Sequence, residues 1–241
     1  MKGMPTHFSP ETMKFLRGLA RHNEREWFNA RKHVYESELK APMLALVDEI
    51  TQAMVEFAPE HMRPANKIMM RIYRDTRFSN DKRPYKRHLS AWWSRRGMEK
   101  TSGGGFYLQI SPQEVMVAAG VYMPQREQLL DIRRWMAEHH AEYRALGKSV
   151  LKSKSAGFAE IEAEALTRMP KGFASDHPAD KLLRAKNWGV RCALPAEAAL
   201  RPQFAREIVR RMRLAAPVVE ALNGAIRSAR PVESLRPRLW L

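Results

Sequence analysis

Cysteine is nearly absent: Cys192 is the only one among 241 residues. One thiol excludes an internal disulfide and any zinc or iron–sulfur centre built from several cysteines. Long apolar runs are missing too. No stretch approaches the roughly 20 residues that span a bilayer, and the opening MKGMPTHFSP lacks the apolar core of a secretory signal. These absences predict a cytoplasmic protein with no membrane partner. No internal repeat, low-complexity tract or long linker interrupts the chain. Gly103-Gly104-Gly105 precedes an apolar run, whereas a phosphate-cradling glycine loop follows a strand and opens a helix. His139-His140 has no HExxH or i, i+4 partner, so no metal or cofactor is expected. RNP-type aromatic signatures and helix-turn-helix readers are also lacking, which excludes the familiar routes to sequence-specific recognition.

Acidic residues are scarce relative to basic ones, 26 Asp and Glu against 42 Lys and Arg, for a net charge of +16. The excess is concentrated. Arg63–Lys100 carries twelve basic and three acidic residues, and Arg201–Leu241 nine and three, so two segments hold 15 of the 16 net charges. Clustered positive charge attracts polyanions and phosphorylated ligands; the plainer alternative is a solubilising, arginine-rich surface.

Hydrophobic residues at 44% and charged residues at 28% predict an ordinary folded domain. Ser9-Pro10 signals a helix start, with Met13, Leu16 and Leu19 at helical spacing. Asn23 followed by Glu26 reads as a second cap. Tyr35 through Phe57 continue a helical stripe, with a break or kink expected at Lys40–Ala41, before Pro42. The period then changes. Ile68–Tyr73, Leu89–Trp93, Phe106–Ile110 and Val115–Tyr122 read as strands, the last two joined by a turn at Ser111-Pro112-Gln113-Glu114. A helix from Pro124 to a cap at Gly147, a polar loop over 150–157, a helical turn near 179–186 and a strand at Trp188–Leu194 follow. The final helix begins near Pro202 and is interrupted by Pro217. The expected class is α+β: a mostly antiparallel sheet of about four to five strands packed by N- and C-terminal helices, one domain over 1–229, and a basic, loose tail over 230–241.

Chemistry concentrates in Arg71–His88. Arginines offer planar forks to phosphate or carboxylate, lysines add point charges, and Ser79-Asn80-Asp81 is turn chemistry. The residues expected to contact a ligand are Arg71, Tyr73, Arg74, Arg77, Ser79, Lys82, Tyr85 and Lys86. Alternatively, Arg71, Arg74 and Arg77 pair with Asp75 and Asp81 and merely pin the turn. For catalysis the available acid–base groups are Asp75, His88 and the adjacent Asp176-His177, although adjacent loop residues more often shape a turn. Trp92 shares a strand face with His88 and Ser90, where it could stack on a ring or simply pack; Cys192 reads as buried and inert.

The segment Arg71–His88, with HNEREWFNARKHVYE before it and GFYLQISPQEVMVAAGVYMP and MPKGFASDHPADKLLRAKNWGVRCALP after it, resembles the family catalogued as domain of unknown function 2461, over roughly Phe8–Leu222. The resemblance implies a single α+β domain and no particular activity. One departure is Gln109, where family members often carry histidine; it argues against a histidine metal site on that strand. Three functions remain open: a binding module for a phosphate-bearing ligand or nucleic acid, an enzyme on an anionic small molecule, or a protein–protein adaptor.

Overall fold

The structure, a computed structural model, describes residues 6–98 and 103–226. The tail expected over 230–241 lies outside the described residues. Helix α1 (Pro10–Arg21) leads through α2 (Arg25–Ala30) and α3 (Lys32–Val34) into a π-helical turn, Tyr35–Lys40, and α4 (Ala41–Ala53). The chain does not break at Lys40–Ala41; the distortion expected before Pro42 takes the form of this π-helical turn. Proline cannot donate to the carbonyl four residues back, and here that carbonyl, Glu38, accepts from the Thr12 hydroxyl at 2.7 Å. The widened π turn makes room for the ring, and α1 supplies the missing donor. Ser9 stands at the N-cap position of α1 with extended backbone, but its hydroxyl donates to the Glu38 carboxylate at 2.8 Å instead of capping.

A single turn, α5 (Ala65–Ile68), occupies the start of the segment expected to be a strand. The sheet comprises β1 (Leu89–Ser94), β2 (Gly105–Ile110), β3 (Glu114–Val121), β4 (Ala159–Glu160) and β5 (Trp188–Pro195) in the order β1-β2-β3-β5-β4, antiparallel throughout. The α+β class and the central antiparallel sheet are as the sequence indicates. Alternation puts Leu89, Ala91 and Trp93 with Phe106, Leu108, Val115, Val117, Val190 and Cys192 on one buried face. Helix α8 (Phe204–Ala225) covers that face over β3, and Trp93 Nε1 donates to Thr51 of α4 at 2.9 Å. The other face carries Ser90, Trp92, Tyr107, Gln109, Met116 and Arg191. Trp92 is 7% exposed and packs beside Gly105 and Tyr107 of β2, so it belongs to the sheet itself and presents no open stacking surface. Cys192 is buried, and burial pushes its thiol up, away from the reactive thiolate.

Three further expectations need correction. Helix α6 (Arg126–Leu151) passes through Gly147 and runs into the segment read as a polar loop, because Val150 is buried against the core. It kinks at His139, whose backbone is non-helical. Helix α8 starts at Phe204 and continues through Pro217, since buried Ala215, Val218, Val219 and Leu222 on either side anchor both halves. The short α7 (Asp180–Arg184) precedes β5 as expected. No helix among the described residues is long and apolar enough to cross a membrane.

Candidate functional site

Residues 69–90 form an irregular hairpin on the outer side of β1. Met69 bridges Ala91, Tyr73 bridges Tyr85, and the amides of Met70, Arg74 and Lys86 donate to Ser90, Pro84 and Ile72, each at 2.8 Å. The alternation seen in the sequence is therefore real locally, with Ile72 buried and Arg71 and Tyr73 exposed, but α5 and Pro84 prevent a regular ladder. The root is firmly held. Tyr85 is 3% exposed and stacks on Phe28 of α2, ring centroids 4.2 Å apart. Asn23, read from sequence as a cap for α2, is instead a buried clamp. Its Oδ1 accepts from the Tyr85 amide at 2.9 Å, and its Nδ2 donates to the Tyr85 and Leu19 carbonyls at 3.1 and 3.2 Å.

Toward the tip the same device appears twice. In Asp75-Thr76-Arg77 and Asp81-Lys82-Arg83, the carboxylate accepts from the arginine two residues on, through both its backbone amide and its guanidinium. Arg74 reaches across the hairpin to Asp81 at 2.6 Å. Hydrogen bonds from Arg77 hold the Asp75 carboxyl down at about 2, and those from Arg83 and then Arg74 hold Asp81 well below the usual carboxylate range. A carboxylate so stabilised is a poor proton acceptor, which weakens Asp75 as a general base.

The segment contains seven cations (Arg71, Arg74, Arg77, Lys82, Arg83, Lys86, Arg87) and these two carboxylates, so its own formal net charge is +5. Arg71 is exposed, and Lys82 Nζ donates to the Thr76 carbonyl at 3.1 Å. Tyr73 is 47% exposed with its ring beside Phe28 and Tyr85; Ser79 and Lys86 are half-buried. Tyr85 lies in the root rather than at the surface. Phe78 is 95% exposed at the tip, with the Arg77 guanidinium 5.6 Å from its ring centroid.

A second basic feature shares α2. Trp27, next to Phe28, lies between the His22 ring and the Arg31 guanidinium, centroid distances 6.1 and 4.7 Å, in a groove of about 400 Å³ that Lys14, Arg17 and Arg21 also line. Sequence reasoning missed it. The signal was present, since Lys14, Arg17 and Arg21 recur at spacings of three and four along the solvent face of α1.

The acid–base candidates do not gather. The Asp176–His177 loop leads into α7 and β5, beside edge strand β4, whereas the hairpin extends the β1 edge. The ring of His177, and not the Asp176 carboxylate, holds the turn: its Nδ1 accepts from the Ala179 amide at 3.0 Å. His88 is pushed down to about 4 by burial and then by Lys86 and Arg87, so it is neutral at neutral pH. Among the described residues no three metal-ligating side chains cluster.

The lowered His88, together with buried His61 whose ring is likewise pushed down by burial, sets an acid sensitivity. Unfolding restores the ordinary histidine affinity, so between pH 6.5 and 4 the unfolded chain binds protons that the folded chain does not, and stability falls with pH. From pH 6.5 to 5 His88 alone is expected to remove about 2 kcal/mol. Urea unfolding across that range checks this: His88→Gln should flatten the slope, and an unchanged slope would refute the assignment.

An antiparallel sheet packed by helices, with a cation-rich hairpin on its edge, defines an α+β protein with a candidate anion-binding arm. The profile of the conserved hypothetical protein family DUF2461 matches residues 11–220, and the chain belongs to that family. No functionally curated protein matches it.

Proposed function

We propose that this protein is a binding module for a phosphate-bearing polyanion, single-stranded nucleic acid foremost, and that the 69–90 hairpin is its contact arm. The observation that carries the reading is Phe78, 95% exposed at the tip of a segment of net charge +5. Exposing a phenylalanine to water is unfavourable, whereas a ring among cations suits a base stacked on it with phosphates on either side. The ion pairs support the same reading: they stiffen the arm while leaving its net charge positive, so less order must be gained on binding. Asp176 and His177, attached at the opposite sheet edge, offer no proton transfer to a ligand held there. A cytoplasmic location fits the lone buried thiol.

Fluorescence anisotropy with labelled oligonucleotides tests the proposal. Single strands should bind with a log–log salt slope of about −0.7 per phosphate contacted, and duplex with about −0.9. Phe78→Ala should weaken single-strand binding by about 1–3 kcal/mol without changing the salt slope. Arg71→Ala should lower the slope by about one contact and leave the thermal midpoint unchanged. Arg71→Lys, which keeps charge but loses the fork, should weaken binding less. No detectable binding at low salt would end the polyanion reading.

A further inference from the structure

Gly147 lies inside α6, four residues before its end, where glycine weakens a helix relative to alanine. It is buried, yet a Cβ placed on it would meet nothing within 4 Å. The space it leaves belongs to a cleft of about 450 Å³ between the last turns of α6, the segment 160–166, α7 and the start of β5. Ile161, Leu166, Leu182 and Trp188 make its walls largely apolar. One group inside is out of place: Asn187 is 7% exposed, and its Oδ1 has no hydrogen-bond partner. Buried carbonyl oxygens are normally met by a donor, and this one is placed to accept from an N–H in the cleft. The lip is cationic through Arg144 and Lys181 against Glu160, while Arg184 beside them is paired with Asp180. Arg144 also donates to the Pro178 carbonyl at 2.8 Å, which ties the Asp176–His177 loop to this lip.

Apolar walls call for a flat ring, the orphaned amide for an N–H donor on its edge, and the lip for an acidic group. The cleft is large enough for a mononucleotide and falls within the usual range for small-molecule sites. We infer that this cleft binds a nucleoside monophosphate: the base lies between the half-buried Ile161, Leu166 and Leu182 and the gap at Gly147, its edge pairs with the Asn187 amide, and the phosphate meets Lys181 and Arg144. An asparagine amide offers both an acceptor and a donor, as pairing with an adenine edge requires. This site is separate from the hairpin and does not depend on the polyanion reading.

Isothermal titration of the full chain with the four common nucleoside 5′-monophosphates tests the inference, with the nucleosides and inorganic phosphate as separate arms. At least one nucleotide should bind saturably, at least tenfold tighter than its nucleoside or phosphate alone. Asn187→Ala should weaken it at least tenfold, and Lys181→Glu should remove the advantage of nucleotide over nucleoside. Gly147→Leu, which fills the gap, should abolish binding. Gly147→Ala is the folding control: it should raise the thermal midpoint, and it also keeps the test open if the leucine variant does not fold, because it should weaken binding severalfold. Three results would overturn the assignment: no saturable binding by any nucleotide at millimolar concentration, phosphate binding as tightly as the nucleotide, or binding indifferent to Asn187→Ala and to the Gly147 variants. The hairpin variants Arg71→Ala and Phe78→Ala should leave nucleotide binding unchanged, so failure here and failure of the polyanion reading are distinguishable.

Discussion

Gly120→Ala is expected to destabilise the protein by more than about 4 kcal/mol, enough to remove most of the folded population of an ordinary domain. Gly120 in β3 faces Gly189 in β5, and both have positive φ, +149° and +153°. A Cβ on Gly120 would lie 2.1 Å from the Trp188 carbonyl oxygen and 2.6 Å from Gly189 Cα; one on Gly189 would lie 2.2 Å from the Ala119 oxygen. These obstacles are backbone atoms of a central strand pair, so no side chain can swing aside. Relief requires β3 and β5 to separate where Asn187 and Trp188 enter the sheet. Expression yield and urea unfolding of Gly120→Ala measure the effect, with Gly224→Ala, whose Cβ would meet nothing within 4 Å, as comparison. A loss below about 1 kcal/mol would mean that the two strands yield easily, against this account.

Local patterns carried most of the fold. The periods of β1, β2, β3 and β5, the Ser111–Glu114 turn and the stripes of α1 and α4 are each written within a few residues, and each appears where the pattern places it. The misreadings arose where a distant residue supplies what the local sequence lacks. Pro42 does not break its helix because Thr12 satisfies Glu38, and Pro217 is carried by packing on both sides. Gly147 resembles a cap, but buried Val150 extends the helix past it. Two-residue β4 pairs with β5 through Ala159 and Glu160, too short a run for any period to reveal.

The candidate site divides along the same line. Its charge was legible, because net charge is additive and needs no geometry. The forks of Asp75 with Arg77 and Asp81 with Arg83 were half legible, since an i, i+2 spacing permits them without requiring them. The exposure of Phe78 could not be read, because a phenylalanine is ordinarily buried and nothing local marks this one as an exception. The clamps were hidden altogether. Asn23 holds both backbone groups of Tyr85 across 62 residues, and Asn223 holds both of Gly104 across 119. Nothing local marks an asparagine that caps no turn of its own.

Asn23→Asp is expected to cost about 3 kcal/mol at neutral pH, a fall of roughly 6–12 °C in the melting midpoint for a chain of this size. The carboxylate can still accept from the Tyr85 amide. Where the Nδ2 group stood, however, an oxygen now faces the carbonyls of Leu19 and Tyr85, which lose their donor and repel it. Asn23 is 9% exposed, so water cannot make up the loss. The effect has a pH signature that a simple packing defect lacks. Burial beside two carbonyls raises the folded pKa of the new carboxyl above its unfolded value, so the folded variant binds a proton that the unfolded chain releases. Protonation restores one donor, and the gap from wild type should narrow as pH falls from 7 to 5, even while both proteins lose stability through His61 and His88. Urea unfolding of both proteins at the two pH values gives the gap directly. A deficit that stays constant would mean that Asn23 fills space and does not clamp. With the clamp weakened, the hairpin root loosens while all seven of its cations remain, so the arm must be ordered by the ligand itself; oligonucleotide binding should weaken at an unchanged salt slope, which separates the stiffness of the arm from its charge.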